Sequence, residues 1–153
     1  GQITAGNSSH LSDGAAAVLV SSREAAEANG WPVLATILDY CTSGVEPARV
    51  MAAPIPAIDS LLGRNGLTMD DLAYVEHNEA FAAASCAIAK TCNIPDDKLN
   101  PHGGSVAIGH PLGATGARCL MTLINALRRS GGGKGIVTLC LGGGNAVAML
   151  VEV

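Results

Sequence analysis

Residues 80–91, AFAAASCAIAKT, bear one charge and otherwise almost only small or apolar side chains, so a helix formed there has no face to offer water. Such a helix must be buried nearly all round, in the middle of a layered structure.

The segments on either side read as the layers. Ala15–Ser21 is a short apolar run with the character of a buried strand. Ser21 and Glu24 have capping-box spacing, Arg23–Asn29 is helix-forming, and Gly30 supplies a left-handed stop. Val33–Cys41 reads as another strand and Thr42–Pro54 as a long irregular loop. Ile58, Leu61 and Leu62 recur at helical spacing between Pro54 and Asn65, and Gly66 ends that helix. Thr68 and Asp71 repeat the capping pattern before a short strand at Ala73–Glu76. Residues 100–116, NPHGGSVAIGHPLGATG, are loop chemistry around one short apolar stretch. Ala117–Arg129 is a helix with Leu120, Leu123, Ile124 and Leu127 on its apolar side, broken by Gly131–Gly133. Gly135–Cys140 and Asn145–Val153 are apolar strands separated by glycines 142–144, as a hairpin or as neighbours. The expected class is α/β, with helices covering a mostly buried sheet.

With 153 residues, 48% of them hydrophobic, the chain can build one compact core. Only 14% are charged, against the roughly 25% usual in soluble domains. Part of the surface is therefore expected to lie against another chain or domain, a low-charge monomer being the alternative. A net charge of −4 offers no footprint for nucleic acid. Cys41, Cys86, Cys92, Cys119 and Cys140 lack any C-x-x-C spacing, which favours neither a disulfide framework nor a metal site and fits a reducing cytoplasm. No basic-then-apolar leader and no apolar stretch approaching ~18 residues is present, so a soluble protein with no membrane contact is expected.

Four places join a reactive side chain to backbone freedom. H-N-E-A-F, residues 77–81, sits at a strand-to-helix junction, where Asn78 reads either as a site residue or as a plain N-cap. G-H-P-L-G, residues 109–113, holds His110 on a stiff turn; its ordinary pKa suits proton transfer near neutrality, though a loop histidine also reads as mere surface. In C-L-G-G-G, residues 140–144, Cys140 ends an apolar strand beside unhindered glycine amides, a thiol with an oxyanion site or a buried cysteine before a turn. G-N-S-S-H, residues 6–10, offers hydroxyls to a ligand or simply forms a turn.

In their order along the chain, N-E-A-F, G-G-x-x-x-x-G-H-P-x-G and C-x-G-G-G resemble the thiolase family, as do T-A-G-N and D-G-A-A-A near the start. The resemblance runs through essentially the whole sequence. It implies a thiolase-like α/β fold, the C-terminal βαβαβαββ half of a five-layered α-β-α-β-α sandwich. Residues 1–30 would be the last strand and helix of the N-terminal domain, and 33–153 the C-terminal domain.

The implied chemistry is a Claisen condensation of acyl-CoA with acetyl-CoA, or its thiolytic reverse with CoA. No cofactor is implied, since coenzyme A thioesters are the substrates. Cys140 would be the proton-shuttling thiol, acidified for that task, and His110 would activate a nucleophilic cysteine. Asn78 would position a water in one oxyanion site, and the Gly142 amide would serve a second. Ser9, Ala80 and Phe81 match positions near the pantetheine arm. The nucleophile belongs to an N-terminal half that this sequence lacks, so a polypeptide supplying that half is the expected partner, within a homo- or hetero-oligomer, and the chain alone is expected to be inactive.

His10, His77 and N-P-H-G-G at residues 100–104 depart from the common family pattern. They leave the acyl preference open to a polar or branched chain. A non-catalytic thiolase-fold subunit of an acyl-CoA complex is the alternative reading, against which the joint presence of Asn78, His110 and Cys140 argues. A decarboxylating ketoacyl synthase would place a second histidine where Cys140 stands. Hydride transfer is disfavoured because no G-x-G-x-x-G follows the first strand.

Overall fold

Two apolar clusters on opposite faces of one sheet produce the layering. The computed structural model describes residues 1–153. Its sheet has four strands, β1 (Thr36–Gly44), β2 (Leu72–His77), β3 (Lys134–Leu141) and β4 (Asn145–Glu152), in the order β1-β4-β3-β2. β3 and β4 form the expected hairpin, in register from Lys134 opposite Glu152 to Leu141 opposite Asn145. β1 joins β4 antiparallel, and β2 joins β3 parallel after a helical crossover.

Strand alternation sends Ile136, Ala148 and Leu150 to one face, where Ala57, Ile58 and Leu61 of α2 (Pro54–Asn65) and Ile88 of α3 (Ala82–Cys92) cover them. Val137 and Val151 point the other way, against Cys119, Leu123 and Leu127 of α5 (Thr115–Arg129). The spacing of those three α5 residues makes one helical stripe, which explains why α5 buries a single face. Two short helices complete the set, α1 (Arg23–Asn29) and α4 (Ser105–Ile108). No helix is long and apolar enough to cross a membrane.

Local signals placed most elements. α2 has its expected bounds, and the Gly66 cap is left-handed at φ 63°. The Thr68–Asp71 capping box exists on a 3₁₀ turn. For α1 the cap is Ser22 rather than Ser21, its hydroxyl accepting from the Ala25 amide.

Four expectations change. Residues 15–21 form no strand, and Leu19 is 75% exposed. A strand exists only when a neighbour completes its hydrogen bonds, and residues 15–21 have no such neighbour within this chain. The loop expected at Thr42–Pro54 is partly regular: β1 runs on to Gly44 and residues Pro47–Ala52 form a 3₁₀ helix. The strand that βαβαβαββ requires between α3 and α5 shrinks to a single parallel bridge of Val75 with Leu99, because Asn100 turns left-handed at φ 45° and Pro101 follows. Finally, α3 is not buried all round within this chain. Ala84, Ser85 and Ile88 are buried, while Cys86 on its other side is exposed.

Candidate active site

β2 ends at His77, opposite Thr138 of β3, and the Asn78 amide continues the ladder with a 3.2 Å bond to the Thr138 carbonyl. The chain then leaves the sheet through Glu79, at φ 59°, before α3 begins. A left-handed Glu costs about 1–2 kcal/mol. It is held there by bonds from its own amide to His77 Nδ1 and from the Val106 amide to its carboxylate, at 3.3 and 3.4 Å. Gly104 makes room, since a Cβ there would stand 2.6 Å from the Glu79 Cβ.

Asn78 does not cap α3; the N-cap position is Phe81. Its side chain instead turns to the opposite face of the sheet and is 1% exposed. Oδ1 accepts from Ser105 Oγ at 2.7 Å and Arg118 Nη2 at 3.0 Å. Nδ2 therefore faces His110 Nε2, 3.3 Å away. His110 Nδ1 lies 2.7 Å from Thr115 Oγ1, whose hydroxyl donates to the Pro111 carbonyl at 3.0 Å. Those partners assign the ring proton to Nδ1 and leave Nε2 a bare base. Partial burial, helped by the Arg118 charge, lowers the His110 pKa and keeps the ring neutral near pH 7.

The N-terminal segment closes over these loops. Ser9 donates its amide to the Ala80 carbonyl at 2.9 Å, and Ser8 bridges Phe81, so Ser9, Ala80 and Phe81 form one strip. The His110 amide bonds to the His10 carbonyl at 2.8 Å, and residues 11–16 face 110–114 across an open cleft.

Cys140 lies two residues beyond Thr138, at the same end of the parallel strand pair as Asn78. Its half-buried thiol is 4.0 Å from Met51 Sδ and makes no hydrogen bond to Asn78 or His110. Within this chain burial pushes the Cys140 pKa up, which favours the protonated thiol. After it, Gly142 is exposed and its amide has no backbone partner, a free donor on an open turn. Gly144, at φ 88°, approaches the Val45 carbonyl so closely that any side chain would collide with it, and the Val45 amide bonds Gly144 O at 2.8 Å. The turn is thereby fixed to the 45–47 segment.

Sequence reasoning missed the groups behind this constellation. Arg118 reaches Glu76, Asn78 and Ser105 at 3.2, 3.0 and 2.7 Å. Glu76 is fully buried, which pushes its pKa up to about 8 against the pull of Arg118. The available signal was Arg118 itself, a cation in the first turn of a helix, where the dipole disfavours it unless something binds it. His77 points to the α3 side, its Nδ1 2.7 Å from Ser85 Oγ and its Nε2 buried without a partner. Burial alone drops its pKa to about 4. No group of histidine, cysteine and carboxylate side chains is arranged to hold a metal ion.

The family model described as "Thiolase, C-terminal domain" matches residues 31–153. An acetyl-CoA acetyltransferase of Syntrophomonas wolfei is 46% identical over 99% of this chain and 39% of its own length. The cytosolic acetyl-CoA acetyltransferase of Rattus norvegicus is 43% identical over 99% of this chain and 38% of its own. Among solved structures, the Bacillus anthracis acetyl-CoA acetyltransferase superposes with a TM-score of 0.94 at 42% identity, over 98% of this chain and 38% of that one. The Acat5 thiolase of Ascaris suum in complex with coenzyme A gives 0.90 at 36% identity, over 99% and 39%. This chain thus spans less than half the length of the relatives it matches.

Proposed function

This chain belongs to the thiolase family, and from that premise we propose that it is the C-terminal part of an acetyl-CoA acetyltransferase whose nucleophilic cysteine comes from an N-terminal half. Residues 1–30 complete that first half and residues 33–153 form the second domain. The reaction is CoA-dependent thiolysis of a 3-ketoacyl-CoA, or the Claisen condensation in reverse, in the cytoplasm and within a homo- or hetero-oligomer.

The observation that carries this reading is the bare His110 Nε2 beside the Asn78 amide, 3.3 Å apart and aimed from the C-terminal end of the sheet. In the thiolytic direction His110 Nε2 takes the proton of the partner cysteine, whose thiolate attacks the keto carbon. The bond between the keto carbon and the α-carbon breaks, and the electron pair leaves as the enolate of acetyl-CoA. Cys140, resting protonated, gives that carbon its proton. The Cys140 thiolate then takes the proton of incoming CoA, whose sulfur bonds to the acyl carbon as the bond to the partner cysteine breaks, and that cysteine recovers its proton from His110. Asn78, through a water, and His110, once protonated, face one oxyanion, and the free Gly142 amide faces the other. Ser9, Ala80 and Phe81, one connected strip at the cleft, serve the pantetheine arm. The exposed apolar run Val18–Val20 supports a missing neighbour, since an unpaired apolar segment there is open to pairing with another strand.

The test is to express this chain with and without a thiolase first half and follow CoA-dependent loss of acetoacetyl-CoA, trapping the acyl group by mass spectrometry. Turnover only in the mixture, with the acyl group on the first half, is expected. Turnover by the lone chain, or a stable mixture that binds CoA and never turns over, would sink the proposal. In the second case a non-catalytic acyl-CoA-binding subunit is the reading left.

A further inference from the structure

One line of hydrogen bonds runs through the site with a fixed direction. Arg118 Nη2 and Ser105 Oγ both aim at Asn78 Oδ1, at 3.0 and 2.7 Å. Asn78 Nδ2 then meets His110 Nε2, His110 Nδ1 meets Thr115 Oγ1, and Thr115 donates to the Pro111 carbonyl. A guanidinium can only donate and a carbonyl can only accept. With those two ends, each link between them has one allowed orientation: the Asn78 amide cannot flip without turning its N–H₂ onto a cation, and His110 cannot carry its proton on Nε2 without facing another donor.

We propose that Arg118 is a positioning residue that sets the amide orientation of Asn78 and, through it, the tautomer of His110. Ser105 is its relay, accepting from Arg118 Nη2 at 2.7 Å while donating to Asn78. Glu76 in turn anchors the guanidinium from the strand, at 3.2 Å. The arrangement matters because the form of imidazole with Nδ1 bare and Nε2 protonated cannot take a proton at Nε2, the atom that meets Asn78. Arg118 is 14% exposed at its side chain and Glu76 is not exposed at all, so water has little access to compete for these bonds. The chemistry served is that of the proposed function; the tautomer itself is a property of this chain and needs no turnover to be read.

The experiment is ¹⁵N NMR of the histidine rings in the intact chain. The wild-type His110 is expected to show a protonated Nδ1 and a bare Nε2. A protonated Nε2 in the wild type overturns the proposal whatever the variants do. Arg118→Gln combined with Glu76→Gln leaves a neutral pair of similar size that can accept as well as donate. That double variant is expected to lose the single tautomer, whereas Arg118→Lys, still donor-only, retains most of it. A double variant that keeps the wild-type ring signature also overturns the proposal. In the enzyme assembled with its first half, the double variant is expected to lower kcat by on the order of 10- to 100-fold, with KM for CoA nearly unchanged; an unchanged kcat counts against the role. If the double variant loses the tautomer that the wild type holds, but the wild-type assembly has no thiolytic activity, the positioning stands and the catalytic reading is removed.

Discussion

His110 Nδ1 stands 2.7 Å from Thr115 Oγ1, a hydroxyl whose own proton is committed to the Pro111 carbonyl. The contact spans one turn from the stiff G-H-P loop to the start of α5, so the helix itself holds the ring.

Replacing Thr115 by valine keeps the shape of the side chain and removes the hydroxyl, leaving buried polar atoms without a partner. Thr115→Val is expected to cost about 1–3 kcal/mol in urea unfolding and to free the His110 ring, lowering kcat of the assembled enzyme more than it changes KM. A variant as stable and as active as wild type would remove Thr115 from the account.

Arg118 donates to Glu76, Asn78 and Ser105, and removing it leaves those buried acceptors short of a donor. Arg118→Met is expected to destabilise by about 1–3 kcal/mol, and adding Glu76→Gln, whose amide can donate in its place, should recover part of that loss. Denaturant titration of both variants checks the coupling; equal instability of the single and double variants contradicts it.

His77 supplies a pH dependence of known sign. Its pKa falls from 6.5 to about 4 on folding because burial disfavours the cation. The unfolded chain therefore binds the extra proton first. His77 contributes stability in full above pH 6.5 and loses it as the pH falls toward 4. Glu76 works the other way: its pKa rises from 4.5 to about 8, so its contribution is complete below pH 4.5 and fades toward pH 8. Stability measured across this range should lose its acid limb in His77→Gln and its alkaline limb in Glu76→Gln. Curves that match wild type would show that neither group titrates as its burial requires.

Cys140 is expected to be dispensable for folding and needed for proton transfer. Cys140→Ser should melt within a few degrees of wild type, while thiolysis by the assembled enzyme falls by on the order of 10²–10⁴-fold. Acylation of the partner cysteine by an activated acyl-CoA should survive, since that step uses His110. Full turnover in Cys140→Ser would reassign the proton donor.

Much of the fold was legible because it is written locally. Gly66 stops α2, the Thr68–Asp71 box starts the entry to β2, and glycines 142–144 turn β3 into β4; each signal acts within four residues of its effect. The motifs were legible for the same reason, as short runs whose residue types suggest donors, bases and thiols. Residues 15–21 form no strand within this chain because their apolar character describes a strand but cannot provide its neighbour. The third strand of the domain was overcounted because Asn100 turns away one residue after pairing begins.

By itself the sequence determined the α/β class, most helix ends and the hairpin, and it marked Asn78, His110 and Cys140 as candidates for chemistry. Only the tertiary structure decided that Asn78 reaches His110 across 32 positions of sequence and that Arg118 reaches Glu76 across 42. It also set the partners that face each His110 nitrogen and the burial that raises the Cys140 pKa. Those properties depend on burial and on donor direction across the sheet, α4 and α5, and no local run of residues contains either.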